Sequence, residues 1–470
     1  MDNKEIKTQL VVLGGGPGGY SAAFRAADLG MQVTLIERDQ NLGGVCLNVG
    51  CIPSKALLHA ANILDEAKQM DERGITFGSP QIDLDKLRAW KDGVIKRLAI
   101  GVKGLARKRK RKVELVTGAG NFISANQIEV INASGESTLI TFEKAIIAAG
   151  SMPVVLPFIP EDPRIMDSTD ALNLPEIPEQ MLIIGGGIIG MEMATVYSAL
   201  GSKITIVELM EQLIPGVDVD IVEPLKQYNA KKIHEIKLAT KVTKVEAKDD
   251  GIWVTFEGKD YKPGPERFDR ILVAVGRKPN GKLIGAEKAG IEVDSRGFIV
   301  VDEKMRTTVP HLFAVGDIIG NPMLAHKAIA EGRFVAEIIA GLNPESHIKN
   351  IPSVAYTDPE IATVGLSESE AKEKNIPYAK GVFPWLASGR SLSLGRKEGI
   401  TKLLFDPVSK KIIGGSIVGP NAGELISEVS LAITIGATAD KIVHVIHPHP
   451  TLSETIMMAS EVFLGTATDM

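Results

Sequence analysis

Two stretches of this chain run through the same succession of hydrophobic and polar positions. Residues 9–37, QLVVLGGGPGGYSAAFRAADLGMQVTLIE, read as an apolar strand, a glycine turn, a helix and a second apolar strand closed by an acid. Residues 181–208, MLIIGGGIIGMEMATVYSALGSKITIVE, repeat that order, and in both the first motif glycine lies 23 positions before the acid (Gly14 to Glu37, Gly185 to Glu208). The repeat predicts two dinucleotide-binding units. Later landmarks repeat too: AIIAAGSMP (145–153) and ILVAVGRKP (271–279) are apolar strands followed by Gly-x-x-Pro, and they close the two halves. The first half is longer, with helical stretches from about Pro53 to Lys112, and proline clusters at 153–163 and 175–178 suit a crossing between domains. TTVPHLFAVGDI then returns to a buried strand ending in an acidic turn. From Ile351 the texture changes: SVAYTDPEIATVG, TKLLFD and KIIGGSIVG look like antiparallel strands, and ELISEVSLAITIGA like an amphipathic helix. The expected fold is α/β, two Rossmann-like dinucleotide-binding domains followed by a C-terminal α+β domain.

Composition narrows the class. A chain of 470 residues is too long for one ordinary core and calls for two to four domains. With 44% hydrophobic and 24% charged residues it suits a globular enzyme and excludes a disordered, fibrous or disulfide-stapled protein. A net charge of −5 with both signs interspersed gives no general attraction to nucleic acid or an anionic membrane. The basic run Arg107 to Lys112 reads as a solvated helix end. The opening MDNKEIKTQLVVLGGG lacks the apolar core of a secretory signal, and no stretch approaches the roughly 18 to 20 apolar residues that span a bilayer. The expectation is a cytoplasmic protein, or a matrix protein after processing.

The chemistry sits in three short segments. In Gly14, Gly16, Gly19 and in Gly185, Gly187, Gly190, a Gly-x-Gly-x-x-Gly turn lets the backbone pass close to a pyrophosphate at a helix N-terminus. Glu37 and Glu208 end the following strands, where a carboxylate can accept both ribose hydroxyls. Glu208, followed by Leu209, Met210 and Glu211, would repel a 2′-phosphate, so the second unit is expected to take NAD over NADP. The only two cysteines, Cys46 and Cys51, lie in GGVCLNVGCIPSK (43–55). Zinc would need further Cys or His nearby, and a structural bridge is disfavoured in a reducing compartment. In a regular helix residues five apart rise about 7.5 Å, so a bridge would require distortion around Asn48–Gly50, and it would be reducible. Last comes HPHPTLSE (447–454), where His449 and Glu454 are candidates for a base and its orienting acid, while His444 and His447 read as polar loop residues.

These residues resemble a known family. GGVCLNVGCIPSK resembles the redox-disulfide segment of the pyridine nucleotide:disulfide oxidoreductases, and HPHPTLSE the base motif of those members that act on dihydrolipoamide. The likeness spans essentially the whole chain. It implies an FAD-binding first segment at 1–152, an NAD-binding domain at 153–272, a returning FAD segment at 273–348 and a dimerisation domain at 349–470. It implies that Cys46 exchanges with substrate, that Cys51 faces the flavin, and that Lys55 lies beside the flavin paired with Glu192. Gly120, Asp317 and Ala325 match further FAD contacts, and Val242, Gly276 and Arg277 match positions along NAD. His449 and Glu454 match the base and its acid, which reach the flavin of the other subunit of a homodimer. The implied reaction is oxidation of dihydrolipoamide with reduction of NAD+. The implied partners are lipoyl domains or lipoyl-carrying proteins and the core acyltransferase of a 2-oxo-acid dehydrogenase complex. Two departures stand out: Pro448 where relatives often carry alanine, and Ile188 at the nicotinamide gate where some carry tyrosine. Glutathione and trypanothione reductases would want a basic NADP site, and mercuric reductase an extra cysteine pair before Met470. A non-catalytic assembly or nucleic-acid-binding protein would have no use for both thiols and the His–Glu pair together.

Overall fold

The computed structural model describes residues 4–107, 111–258, 264–345 and 348–468; residues 108–110 of the basic run, and Met470, lie outside them. The chain divides into two compact units. The first comprises residues 1–56, 83–154 and 276–348, and the second 57–82, 155–275 and 349–470.

In the first unit the apolar run that opens the chain forms strand Lys4–Leu13, which lies between Val33–Glu37 and Ser137–Ile147, parallel to both. Val113–Thr117 extends the sheet on one side and Leu312–Ala314 joins it on the other, also parallel. Gln127–Ile131 and Ala119–Ser124 add an antiparallel edge. Because successive strand side chains point to opposite faces, Leu10 and Val12 enter one core cluster and Val11 and Leu13 another. Both faces are covered at its end, which is why residues 10–13 read as a continuous apolar run, while residues 4–9 before them are mostly polar and exposed. Helices Pro17–Asp28 and Ala325–Ile339 lie close together, and a Cβ on Gly332 would run into the Gly18 carbonyl. Truncating a residue as buried as Leu10 to alanine costs about 2 to 5 kcal/mol.

The second unit repeats the device. Strands Glu235–Lys237, Lys203–Val207, Gln180–Ile184, Arg270–Val273 and Ile165–Met166 form a parallel sheet in that order. Helix Ile188–Leu200 follows the glycine turn; it is apolar on nearly every side because it is buried on nearly every side. An antiparallel sheet of Thr240–Lys248, Gly251–Gly258 and Pro265–Phe268 follows. The C-terminal part is a five-stranded antiparallel sheet in the order Ser353–Ala355, Glu360–Gly365, Ile412–Gly419, Ile400–Phe405, Ala379–Pro384, with helices Ala422–Thr434 and Glu454–Leu464 packed on it. The α/β class with two Rossmann-like halves and an α+β tail is therefore as expected. Among the described residues no helix is long and apolar enough to cross a membrane.

Candidate functional site

Both glycine turns are built alike. Gly14 and Gly185 take φ of +104° and +109°, and a Cβ on Gly19 or Gly190 would collide with the carbonyl of Gly14 or Gly185. These glycines make the turn. The middle ones leave room for something else: a Cβ on Gly187 would meet nothing within 4 Å, and one on Gly16 only the Gly44 Cα at 3.8 Å. Gly16 and Gly187 are also the N-caps of their helices and neither helix has a side-chain cap, so the first-turn N–H groups stay open to an anion. Each acid is held beside its turn. Glu37 accepts the N–H of Gly15 (2.9 Å) and of Asp39 (3.0 Å), and Glu208 accepts those of Gly186 (2.7 Å) and Met210 (2.8 Å). Each carboxylate keeps acceptor capacity for hydroxyls. Burial pushes the Glu37 carboxyl up, against the Asp39 and Gly15 N–H groups that favour its charge. A cavity of about 170 Å³ beside Glu37 is lined by Leu35, Leu42, Lys103, Arg107 and Thr117 among others. An uncapped helix end, an open middle glycine and a fixed acid in each half fit a dinucleotide.

The cysteines lie in the first unit. Cys46 belongs to helix Gly44–Val49 and Cys51 begins helix Cys51–Gln69; between them Gly50, at φ −143° and ψ −107°, breaks the helix. That break brings the two Cα atoms to 4.6 Å, and the thiols form a disulfide. Asn48 secures the distorted turn through Nδ2 to the carbonyls of Gly44 (3.0 Å) and Leu42 (3.4 Å). Its Oδ1 is buried with no hydrogen-bond partner, an acceptor that a bound group could satisfy. A Cβ on Gly44 would meet the Gly16 Cα at 2.6 Å, so the cysteine segment rests directly on the first glycine turn. One turn along the second helix, Lys55 Nζ donates to Ser54 Oγ at 3.2 Å.

Asp317 lies in a single turn of 3-10 helix, Gly316–Ile319, of the same unit. Ser151 Oγ donates to Asp317 Oδ2 (2.6 Å), while Arg277 donates from Nε to Ser151 Oγ (2.7 Å) and from Nη2 to the Ser151 carbonyl (2.7 Å). The guanidinium expected along NAD thus rests on a serine that orients an acid expected at FAD. The turn is held from behind by Glu331, which is 1% exposed and accepts the Gly316 N–H (2.7 Å) while pairing with Lys327 (2.8 Å). Burial pushes Glu331 up against these partners. Gly276 starts the return from the second unit, with φ +112°. Ala325 is the first residue of its helix, and Gly120 packs against Leu13.

The second unit holds the remaining candidates. Glu192 is buried and accepts the Tyr356 N–H at 3.0 Å. Val242 is buried in the core of that half, and Ile188 begins the helix after the glycine turn. At the C-terminus His449 Nδ1 meets Glu454 Oε1 at 2.9 Å, and Glu454 Oε2 accepts the Thr451 N–H at 2.7 Å. The imidazole is 79% exposed and the carboxylate 11%, an acid fixed in the protein holding a base that faces outward. Burial pushes Glu454 up, but the Thr451 N–H and the His449 ring outweigh it and hold its carboxyl below its ordinary value. His447 differs from its reading as a plain loop residue, because its shielded ring meets Glu428 Oε1 at 2.7 Å.

Sequence reasoning missed Ser151, Glu331 and Glu428. Only Lys327 and Glu331, four apart on one helix, left a local signal.

Known proteins resemble this chain along nearly its whole length. Residues 8–332 match the family described as pyridine nucleotide-disulphide oxidoreductase, and residues 351–460 match its dimerisation domain. The chain is 56% identical to the dihydrolipoyl dehydrogenase of Vibrio cholerae over 469 residues, covering 100% of this chain and 98% of the relative. It is 54% identical to that of Haemophilus influenzae, covering 100% and 97%. Among solved structures, LpdA from Mycobacterium tuberculosis superposes with a TM-score of 0.89 at 25% identity, over 97% of this chain and 99% of that one. The HOCl-induced flavoprotein disulfide reductase RclA from Escherichia coli gives 0.85 at 27%, over 97% and 99%.

Proposed function

The chain belongs to the pyridine nucleotide-disulphide oxidoreductase family, and from that premise we propose that it oxidises dihydrolipoamide to lipoamide and reduces NAD+ to NADH. The observation that carries the reading is the Cys46–Cys51 disulfide seated on a dinucleotide-type glycine turn, in a chain that also carries an outward-facing His449 on a fixed Glu454. Relatives more than half identical over the full chain bear the same function in their names.

In this reading Glu454 accepts from Nδ1–H of His449, which leaves Nε2 as the proton acceptor. His449 takes the proton from one substrate thiol, because only the thiolate is nucleophilic and a free thiol has a pKa of about 8.5. The thiolate attacks the Cys46 sulfur; a substrate–Cys46 bond forms, the Cys46–Cys51 bond breaks, and Cys51 leaves as a thiolate. The second substrate sulfur, once deprotonated, then attacks the first and expels Cys46, so that the substrate becomes a cyclic disulfide and the cysteine pair gains its two electrons. Bound FAD supplies the two-electron chemistry between the reduced cysteine pair and NAD+. For FAD, Gly14, Gly16, Gly19 and Glu37 would hold the adenosine and pyrophosphate, Gly120 would meet the adenine through its backbone, Asp317 the ribityl chain, and Ala325 and Lys55 the isoalloxazine. Gly185, Gly187, Gly190 and Glu208 hold NAD, with Val242, Gly276 and Arg277 beside it and Glu192 paired to Lys55.

Residues 1–152 and 273–348 form the FAD domain, 153–272 the NAD domain and 349–470 the interface of a homodimer, across which His449 serves the partner subunit. The protein works in the cytoplasm on lipoyl groups carried by the acyltransferase core of a 2-oxo-acid dehydrogenase complex or by the glycine cleavage system. The test is NAD+ reduction with dihydrolipoamide, beside NADP+ and glutathione controls. Turnover with glutathione and NADP+ in place of dihydrolipoamide and NAD+ would overturn the reading.

A further inference from the structure

The two glycine turns share a second layer of construction that lies beyond the motif. In each, the residue between the first two motif glycines is gripped on one side by the acid and on the other by the segment that follows it. On one side Gly15 donates to Glu37 and Gly186 to Glu208. On the other, the residue six positions beyond the acid donates its N–H to that same residue's carbonyl: Gly43 to Gly15 and Ile214 to Gly186, both at 2.8 Å. The residue five beyond the acid, Leu42 or Leu213, fills the space where a Cβ would stand on Gly15 or Gly186, its Cδ2 lying 2.7 Å from that position in each half. Acid, leucine and returning N–H therefore form a clamp that fixes the pyrophosphate turn relative to the ribose acid.

The clamps differ at one residue. In both halves the sixth position has a left-handed backbone, with positive φ. The first half places glycine there, Gly43 at φ +118°, which costs nothing sterically. The second half places Ile214 there at φ +44°, a β-branched residue in a region such side chains rarely enter. Its side chain is 2% exposed and Leu213 is 1% exposed, so burial holds the residue where its backbone would not settle alone. Neighbouring bonds brace the loop: Gln212 Nε2 to the Val217 carbonyl (2.9 Å) and the Ala239 N–H to the Met210 carbonyl (2.8 Å).

We infer that Ile214 is a positioning residue whose strained backbone makes the clamp on the second nucleotide able to open at each turnover, while the relaxed Gly43 keeps the clamp on the first nucleotide shut. The inference rests on the reading that the second turn holds NAD, which must leave every cycle, and the first holds FAD, which stays. Opening is the departure of Ile214 from the left-handed region with loss of its bond to Gly186. The strain favours that departure, and the loop then no longer fixes the turn under the pyrophosphate.

Comparison of Ile214→Ala with Ile214→Gly in the FAD-loaded dimer isolates the strain. Both lose the buried side chain beyond Cβ, and only glycine loses the left-handed cost. Two rates are read: hydrogen exchange of the residue 214 amide without nucleotide, and NADH release by stopped-flow fluorescence. Both should be about 3- to 10-fold slower in the glycine variant than in the alanine variant, the net of strain relief and the greater freedom of glycine once open. FAD retention should match in the two. Equal exchange rates, or faster exchange in the glycine variant, would show that no strain is stored. Slower exchange with unchanged NADH release would show that the clamp does not gate the nucleotide. If the unmodified protein binds no NADH, the assignment of the second turn to NAD fails instead, and the exchange comparison still decides whether the strain exists.

Discussion

Replacing Glu454 with glutamine tests the base in a way the geometry makes quantitative. The carboxylate accepts two hydrogen bonds, from His449 at 2.9 Å and from the Thr451 N–H at 2.7 Å. An amide has one acceptor end and one donor end, so it can satisfy only one of them as before. If its oxygen turns to His449, its NH2 faces the Thr451 N–H, donor against donor, at a cost of about 1 to 3 kcal/mol for the stranded group. If its oxygen turns to Thr451, its NH2 donates to Nδ1 of His449 instead. The imidazole proton must then move to Nε2, a cheap exchange of tautomers, and the nitrogen that should receive the substrate proton is already occupied. The second arrangement is favoured, so Glu454→Gln should lose nearly the whole contribution of the base, about 10²- to 10⁴-fold in kcat/KM for dihydrolipoamide. Oxidation of NADH by ferricyanide needs no thiol deprotonation and should stay within twofold. The acid dependence has a definite sign. Because burial raises the Glu454 carboxyl but its two partners lower it further, its folded value lies below the ordinary 4.5. Its stabilisation is therefore complete above that value and is lost as the pH falls below it. The unfolding free energies of native and variant protein should differ by a constant amount above about pH 5.5 and converge below pH 4.5. A variant that keeps kcat/KM within threefold, or a stability gap that widens in acid, would refute the argument.

Three other outcomes follow from named contacts. Cys51→Ser should abolish thiolate-to-flavin charge-transfer absorption in the reduced protein, whereas Cys46→Ser should keep it and lose lipoamide turnover; identical spectra would remove the division of labour. Glu208→Ser should move the ratio of kcat/KM toward NADP+, since the carboxylate beside Gly186 no longer repels a 2′-phosphate; an unchanged ratio would place the ribose elsewhere. Lys402 is 1% exposed between Asp218 (2.8 Å) and Asp220 (2.6 Å), and Lys402→Met should cost about 3 to 5 kcal/mol in denaturant unfolding by stranding a buried carboxylate. Burial raises Asp218, but Lys402 and the Ser369 and Glu368 groups bring it down to about 2, so this stability is whole above the usual 3.8 and lost as the pH falls toward 2; a variant with unaltered acid sensitivity would contradict it.

What the sequence revealed and what it withheld divide along one physical line. The glycine turns, the cysteine pair and the His–Glu pair are each chemistry written into a spacing. Cys46 and Cys51 stand five positions apart, as do His449 and Glu454, and in both cases a sharp local turn brings them into contact. A short segment with one strongly preferred backbone path carries its own geometry, so composition and spacing suffice to read it. The break at Gly50 could be anticipated because a straight helix cannot bridge that interval. The parallel strands were legible for the same reason, since burial on both faces leaves an uninterrupted apolar run.

The residues that hold those segments in place left no such trace. Ser151 reaches Asp317 across 166 positions and Arg277 reaches Ser151 across 126, and nothing in a serine after a glycine announces either bond. Residues 57–82 continue the cysteine helix in sequence yet belong to the second unit, a division decided by packing alone. The internal repeat is the exception. Once the two halves are aligned on their acids, the sixth position beyond each reads glycine in one and isoleucine in the other, and glycine at a fixed offset signals a left-handed backbone. A residue forbidden to one half by its own conformation is then visible in the other as strain, although neither half shows it alone. The repeat thus carries long-range information because each copy specifies the backbone against which its twin can be judged. The strain at Ile214 is a difference between two solutions to one geometric problem, Gly43 at φ +118° in one half and Ile214 at φ +44° in the other.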